Sequence, residues 1–194
     1  HVFHWRDMSR RSQQHAAWIQ EGLASLVEDY DLDNADALTP VPSWRTNIVK
    51  RLHAARRHTP IAELAEISME RLTSSRPLAR YAESRAVMLF LLDKGLLTDF
   101  YRACTHTFDQ DPTGLAALRH TLGFEHDGEL EQAFHAWVTA LPMIAETGSD
   151  LPATLGVEID NGDGTGVRVT GLPANAHRRT GLSVGSFITA VNHR

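Results

Sequence analysis

The chain has 194 residues, enough for one or two domains, and its 42% hydrophobic and 22% charged content is that of a globular protein with a sizeable core. A formal net charge of -5, with no basic run longer than a pair such as Arg10-Arg11 or Arg56-Arg57, argues against nucleic acid as a partner. No stretch approaches a membrane span, Ala86 to Leu92 being too short, and the single Cys104 excludes an internal disulfide.

Residues His1 to Trp5 read as the end of an apolar helix, with Val2, Phe3 and Trp5 available for packing. Arg6 to Gln14 reads as a polar connector whose Ser9 or Ser12 can cap the next helix, expected over about 12–30. In that helix Ile19, Leu23, Leu26, Val27 and Tyr30 recur at helical spacing as a buried stripe, and Trp18, Glu21, Gly22 and Ser25 share a neighbouring face. Glu21 is thus an acid beside the core, a costly position unless it is paired, hydrogen-bonded or bound to a metal. The plain alternative is a half-exposed Glu on an ordinary amphipathic helix. The acidic run Asp29 to Asp36 fails as an EF-hand loop, because Asn34 and Pro40 stand where Gly and Glu are needed; it reads as an acidic surface loop.

From Pro42 to Leu141 the pattern is helical almost throughout, a bundle of roughly six or seven helices. Trp44 to Arg57 carries Ile48, Val49 and Leu52 on one side. Thr59-Pro60 then starts a core helix through Ile61, Leu64, Ile67, Met69 and Leu72 to Thr73. Pro77 opens the longest helix, closed by Gly95 as a C-terminal cap. Asp111-Pro112 and Asp127 start two more, separated by Gly123. Cys104 reads as a small buried hydrophobe, and the histidines from His15 to His193 show no ligand spacing and read as surface residues.

The run Trp18-Ile19-Gln20-Glu21-Gly22-Leu23-Ala24 resembles the W-x-x-E-G-x-A helix of gluzincin metallopeptidases, the peptidase MA-like group. His1 stands 20 positions before Glu21, a separation similar to that between the second histidine of HExxH and the ligand Glu in thermolysin-type enzymes. Arg80-Tyr81-Ala82-Glu83-Ser84-Arg85-Ala86-Val87 and Leu118 to Trp137 resemble the helices that follow in bacterial members. The resemblance implies the helical C-terminal subdomain of a zinc peptidase over 1–145, with His1 and Glu21 as two of three Zn2+ ligands. It also implies Tyr81 as the electrophile that steadies an oxyanion, against the plain alternative of a core Tyr with its hydroxyl at the bundle edge. Gly22 would let the ligand helix approach the motif helix closely, or else be a tolerated helix glycine costing about 1 kcal/mol. His4 reads as a helix residue rather than part of the site.

Pro142 to Pro152 is a linker by composition, after which the period changes to two. Leu155 to Ile159 and Val167 to Thr170 alternate as strands around the hairpin signal Asn161-Gly162-Asp163-Gly164. With Leu172 to Ala176, Thr180 to Ser186 and Phe187 to Asn192, the order resembles the first half of a PDZ domain, here over 152–194, with Asn175 and Ser186 departing from its pattern. That implies a truncated β-rich module whose Leu155, Gly156 and Val157 would meet a bound peptide, such as a protein C-terminus.

The expected whole is a mainly α chain: a gluzincin subdomain followed by half a PDZ domain, reading as a piece of a longer protein. In such enzymes zinc leaves one position for a water that it acidifies, and the Glu of HExxH takes the proton as a peptide carbonyl is attacked. The implied function is zinc-dependent hydrolysis of a peptide or protein substrate, by a bacterial envelope or secreted protein. Two alternatives stand beside it: an inactive peptidase-like protein that binds through its PDZ domain, and an unrelated helical scaffold.

Overall fold

A computed structural model describes residues 2–28, 30–31, 39–144, 158–161, 167–171 and 183–188. The described chain is mainly helical and divides into two compact units, His1–Ala145 and Glu146–Arg194. The first holds α1 (Val2–Arg11), α2 (Ala17–Leu26), α3 (Trp44–Ala54), α4 (Ile61–Ala65), α5 (Met69–Ser74), α6 (Pro77–Asp93), α7 (Leu97–Thr107), α8 (Leu115–Leu122) and α9 (Asp127–Ala140). A two-residue ribbon, β1 (Tyr30–Asp31) against β2 (Thr39–Pro40), links α2 to α3.

The unit is built on α6. Every residue from Ala79 to Leu91 except Tyr81 is buried, and a helix buried all round has to lie at the centre of its bundle. Its main neighbour is α2, which turns Trp18, Gly22, Ser25 and Leu26 into the core. Gly22 makes that approach possible: a Cβ there would stand 2.7 Å from the Ser84 carbonyl oxygen and 2.8 Å from Met88 Cγ. The close approach expected of Gly22 is therefore to α6 rather than to the helix before it. Trp18 is fully enclosed, its indole donating to the Thr113 carbonyl at 2.8 Å and its ring lying 5.7 Å from that of Phe100.

Glu83 and Arg80 are enclosed with the aliphatic core, 2% and 5% exposed, and the most deeply enclosed charged side chain among the described residues is Arg85, 1% exposed. Its guanidinium donates to Ser25 O at 2.9 Å and Val41 O at 2.8 Å, tying the end of α2 to the strand-to-helix connection. A helix end leaves carbonyls without intrahelical donors, and this cation answers them.

Several element limits differ from expectation. Residues 6–11 continue α1 instead of forming a connector, and Trp5 is 63% exposed instead of packed. α2 starts at Ala17 with no side-chain cap, so neither Ser9 nor Ser12 caps it. The helix expected from Ile61 to Thr73 is two short ones, because Ser68 starts a new helix by accepting from Arg71 N at 3.2 Å. α9 begins at Asp127, with His126 rather than Asp127 at the cap position and Glu129 Oε2 taking the N–H groups of Glu125 and His126. α2 ends at Leu26, so Tyr30, expected on its stripe, and Asp31, expected in an acidic loop, instead form β1.

Cys104 is buried, as its helical position suggested, and burial pushes its thiol up to about 12. In the second unit β3 (Glu158–Asn161), β4 (Val167–Gly171) and β5 (Phe187–Ile188) form one antiparallel sheet in the order β3-β4-β5. Asn161 pairs with Val167 and Arg168 with Phe187, and Val169 is fully buried.

Candidate functional site

Glu21 lies on the side of α2, half-buried between the core face and solvent. Burial, and then the charge of Glu28, hold its carboxyl above the usual carboxylate range. Tyr81 is half-buried on α6, and its phenol is raised by burial, then by the charges of Glu21 and Glu28. The α2–α6 contact thus brings Glu21 and Tyr81 into one electrostatic neighbourhood, although 59 positions separate them in sequence. His1, the second expected ligand, lies outside the described residues, as do Leu155, Gly156 and Val157.

A carboxylate whose charged form is disfavoured by burial and by a like charge is one that a cation would stabilise. A single carboxylate does not make a metal site. Among the described residues no group of three or more His, Cys, Asp or Glu side chains is placed to hold a metal ion.

The histidines depart most from expectation. His15 and His53 are buried, 1% and 4% exposed, and each belongs to a cluster. At the junction of α3 and α9, His53 Nδ1 meets His135 Nδ1 at 2.9 Å, and the His58 ring stacks on that of His53 at 4.0 Å. His53 is lowered to about 4, by burial first and then by His58 and His135. Beside it Lys50 donates to the last carbonyls of α9, those of Val138, Thr139 and Leu141. Asn47 exchanges two hydrogen bonds with Ile144, at 2.8 and 2.9 Å.

The second cluster joins α1 to α7. His4 Nε2 meets His15 Nδ1 at 2.9 Å, and His15 Nε2 meets Gln13 Oε1 at 3.3 Å. Tyr101 donates its hydroxyl to Asp7 Oδ2 at 2.7 Å, and the same oxygen takes Arg11 Nε at 3.0 Å. Burial, then the neighbouring His15, lower His4 to about 4, so it is neutral at pH 7. His4, Asp7 and Tyr101 border a cleft of about 540 Å³ walled by Leu23, Ala24, Val27 and Leu97.

Neither cluster is visible in the sequence. His4 and His15 stand 11 positions apart across a helix end, and His53 and His135 stand 82 apart. The one local sign is that Ile19, Leu23, Leu26 and Val27 are more apolar residues than one buried stripe needs, and Val27 is 52% exposed. No family model, curated protein or solved structure matches this chain, so the gluzincin and PDZ resemblances rest on its own motifs.

Proposed function

We propose that this chain is the C-terminal part of a zinc-dependent metallopeptidase of the gluzincin kind, followed by the first half of a PDZ domain. One observation carries the reading: Glu21 of the W-x-x-E-G-x-A run is half-buried, disfavoured as an anion, and placed where its charge reaches Tyr81 across the contact that Gly22 permits. In this reading His1 and Glu21 hold Zn2+ with a third ligand from an upstream HExxH, and the bound metal supplies an acidified water. Tyr81 donates its hydroxyl to the substrate oxygen on which charge develops. The PDZ portion takes a protein C-terminus through Leu155, Gly156 and Val157.

The reading requires His, then Glu, as the first two of the four residues encoded before His1. Any other pair leaves Glu21 without a site and turns the proposal to an inactive peptidase-like protein that binds through its PDZ domain. The 194-residue chain alone, with one imidazole and one carboxylate for the metal and no base from the motif, is expected to be inert toward peptides. Chelator-sensitive peptide hydrolysis by the purified chain would overturn that expectation.

A further inference from the structure

The cleft between α1, α2 and α7 carries an inference independent of the zinc reading. Its hydrogen-bond directions can be worked out from one fixed point. Gln13 Nε2 donates to the Thr105 carbonyl at 2.8 Å, so the other amide atom is an acceptor. His15 Nε2, facing that acceptor, must carry a proton. Neutral His15 then has its lone pair on Nδ1, and His4 Nε2, 2.9 Å away, must be the donor. Neutral His4 is left with a lone pair on Nδ1, and no described side chain donates to it.

Asp7 presents a second acceptor. Tyr101 and Arg11 both bond to Oδ2, and Oδ1 takes no protein donor among the described residues. Two donors on this wall are already used, the Tyr101 hydroxyl on Asp7 and the His4 N–H on His15. Thr98, also at the cleft, can accept as well as donate. Arg102, which also lines the cleft, is paired with Asp99 at 3.5 Å, and Arg11 with Asp7 at 3.0 Å. Leu23, Ala24, Val27 and Leu97 make the other side of the wall apolar, and a volume of about 540 Å³ suits a small ligand.

Two acceptors without donors, one of them anionic, beside an apolar wall call for a cationic donor with an apolar body. We propose that this cleft binds an apolar primary amine in its ammonium form, with His4 Nδ1 and Asp7 Oδ1 accepting its N–H bonds and Leu23, Ala24, Val27 and Leu97 covering its apolar part.

Titration of the 194-residue chain with phenethylamine, followed through the imidazole 15N resonances, tests this. The expected result is a saturable shift of His4 Nδ1 with a dissociation constant of about a millimolar. Phenylacetate, of the same shape and opposite charge, is expected to bind about tenfold more weakly or less. His4→Phe keeps a ring and removes the acceptor, and should weaken phenethylamine about tenfold. Val27→Arg, at a position 52% exposed, leaves the fold intact and should weaken it similarly by narrowing the wall and repelling the ammonium. The proposal is overturned if phenethylamine gives no saturable shift, if phenylacetate binds as tightly, or if Val27→Arg leaves binding unchanged.

Discussion

Gly22 shows how far one residue can be read from its neighbours in the sequence. Its place on the buried side of a helix was legible, and so was the need for a close approach; which helix approaches was not. With a built Cβ 2.7 Å from a backbone oxygen of α6, Gly22→Ala has no flexible side chain alone to displace. It is expected to lower stability by about 1–3 kcal/mol, read as a fall in the urea midpoint with an unchanged slope. Arg85 is the opposite case. It stands among apolar neighbours on the longest helix, and nothing local marks it as the donor for Ser25 and Val41. Replacement by Met keeps most of the volume, takes the charged donor from both carbonyls and leaves Ser25 O only the backbone N–H groups of Val27 and Glu28. A loss of about 3 kcal/mol is expected, since hydrogen bonds to charged groups exceed neutral ones.

Helix existence and order were largely legible, because the apolar spacing of a bundle helix is local. Helix ends were less so. Ser9 and Ser12 have the right chemistry for a cap, yet α1 runs past Ser9, and α2 begins after the chain has turned to place His15 against His4. The junction of α3 with α9 carries a pH prediction. The folded His53 is lowered to about 4 from an ordinary 6.5, so below 6.5 the unfolded chain takes up a proton that the folded one refuses. The stability contributed by neutral His53 is therefore complete above pH 6.5 and is lost as pH falls toward 4. The carboxyls of Glu21, Glu83 and Glu131 are raised and act in the opposite sense, so the wild-type curve is a sum. His53→Phe keeps a ring against Phe134 and His58 while removing the titration. Its urea midpoint is expected to fall less than that of the wild type between pH 7 and pH 5; equal falls would show that His53 does not control this junction.

At the scale of the whole molecule, the linker composition from Pro142 to Pro152 and the change from helical to strand period mark two units, and the structure divides at Ala145 and Glu146. The helical unit has its own enclosed core around α6, from Trp18 to Val138. A chain ending at Ala145 is expected to keep its helical circular dichroism and an unfolding free energy, from urea titration, within about 0.5 kcal/mol of that of the first unit in the full chain, as for a domain that folds alone. Collapse of the truncated chain would show that the second unit completes the first.

The sequence by itself determined the helical class, the order of the helices, the burial of Ile19 and Leu26, and Glu21 as an acid beside the core. Each follows from residues within a few turns of one another, where helical spacing alone decides which side chains share a face. Only the tertiary structure decided that Gly22 meets α6, that Tyr81 feels the charge of Glu21, and that His4 and His53 each meet a distant imidazole. Those are contacts between helices, and a side chain's partner across an interface depends on crossing geometry and loop path, which no local periodicity encodes.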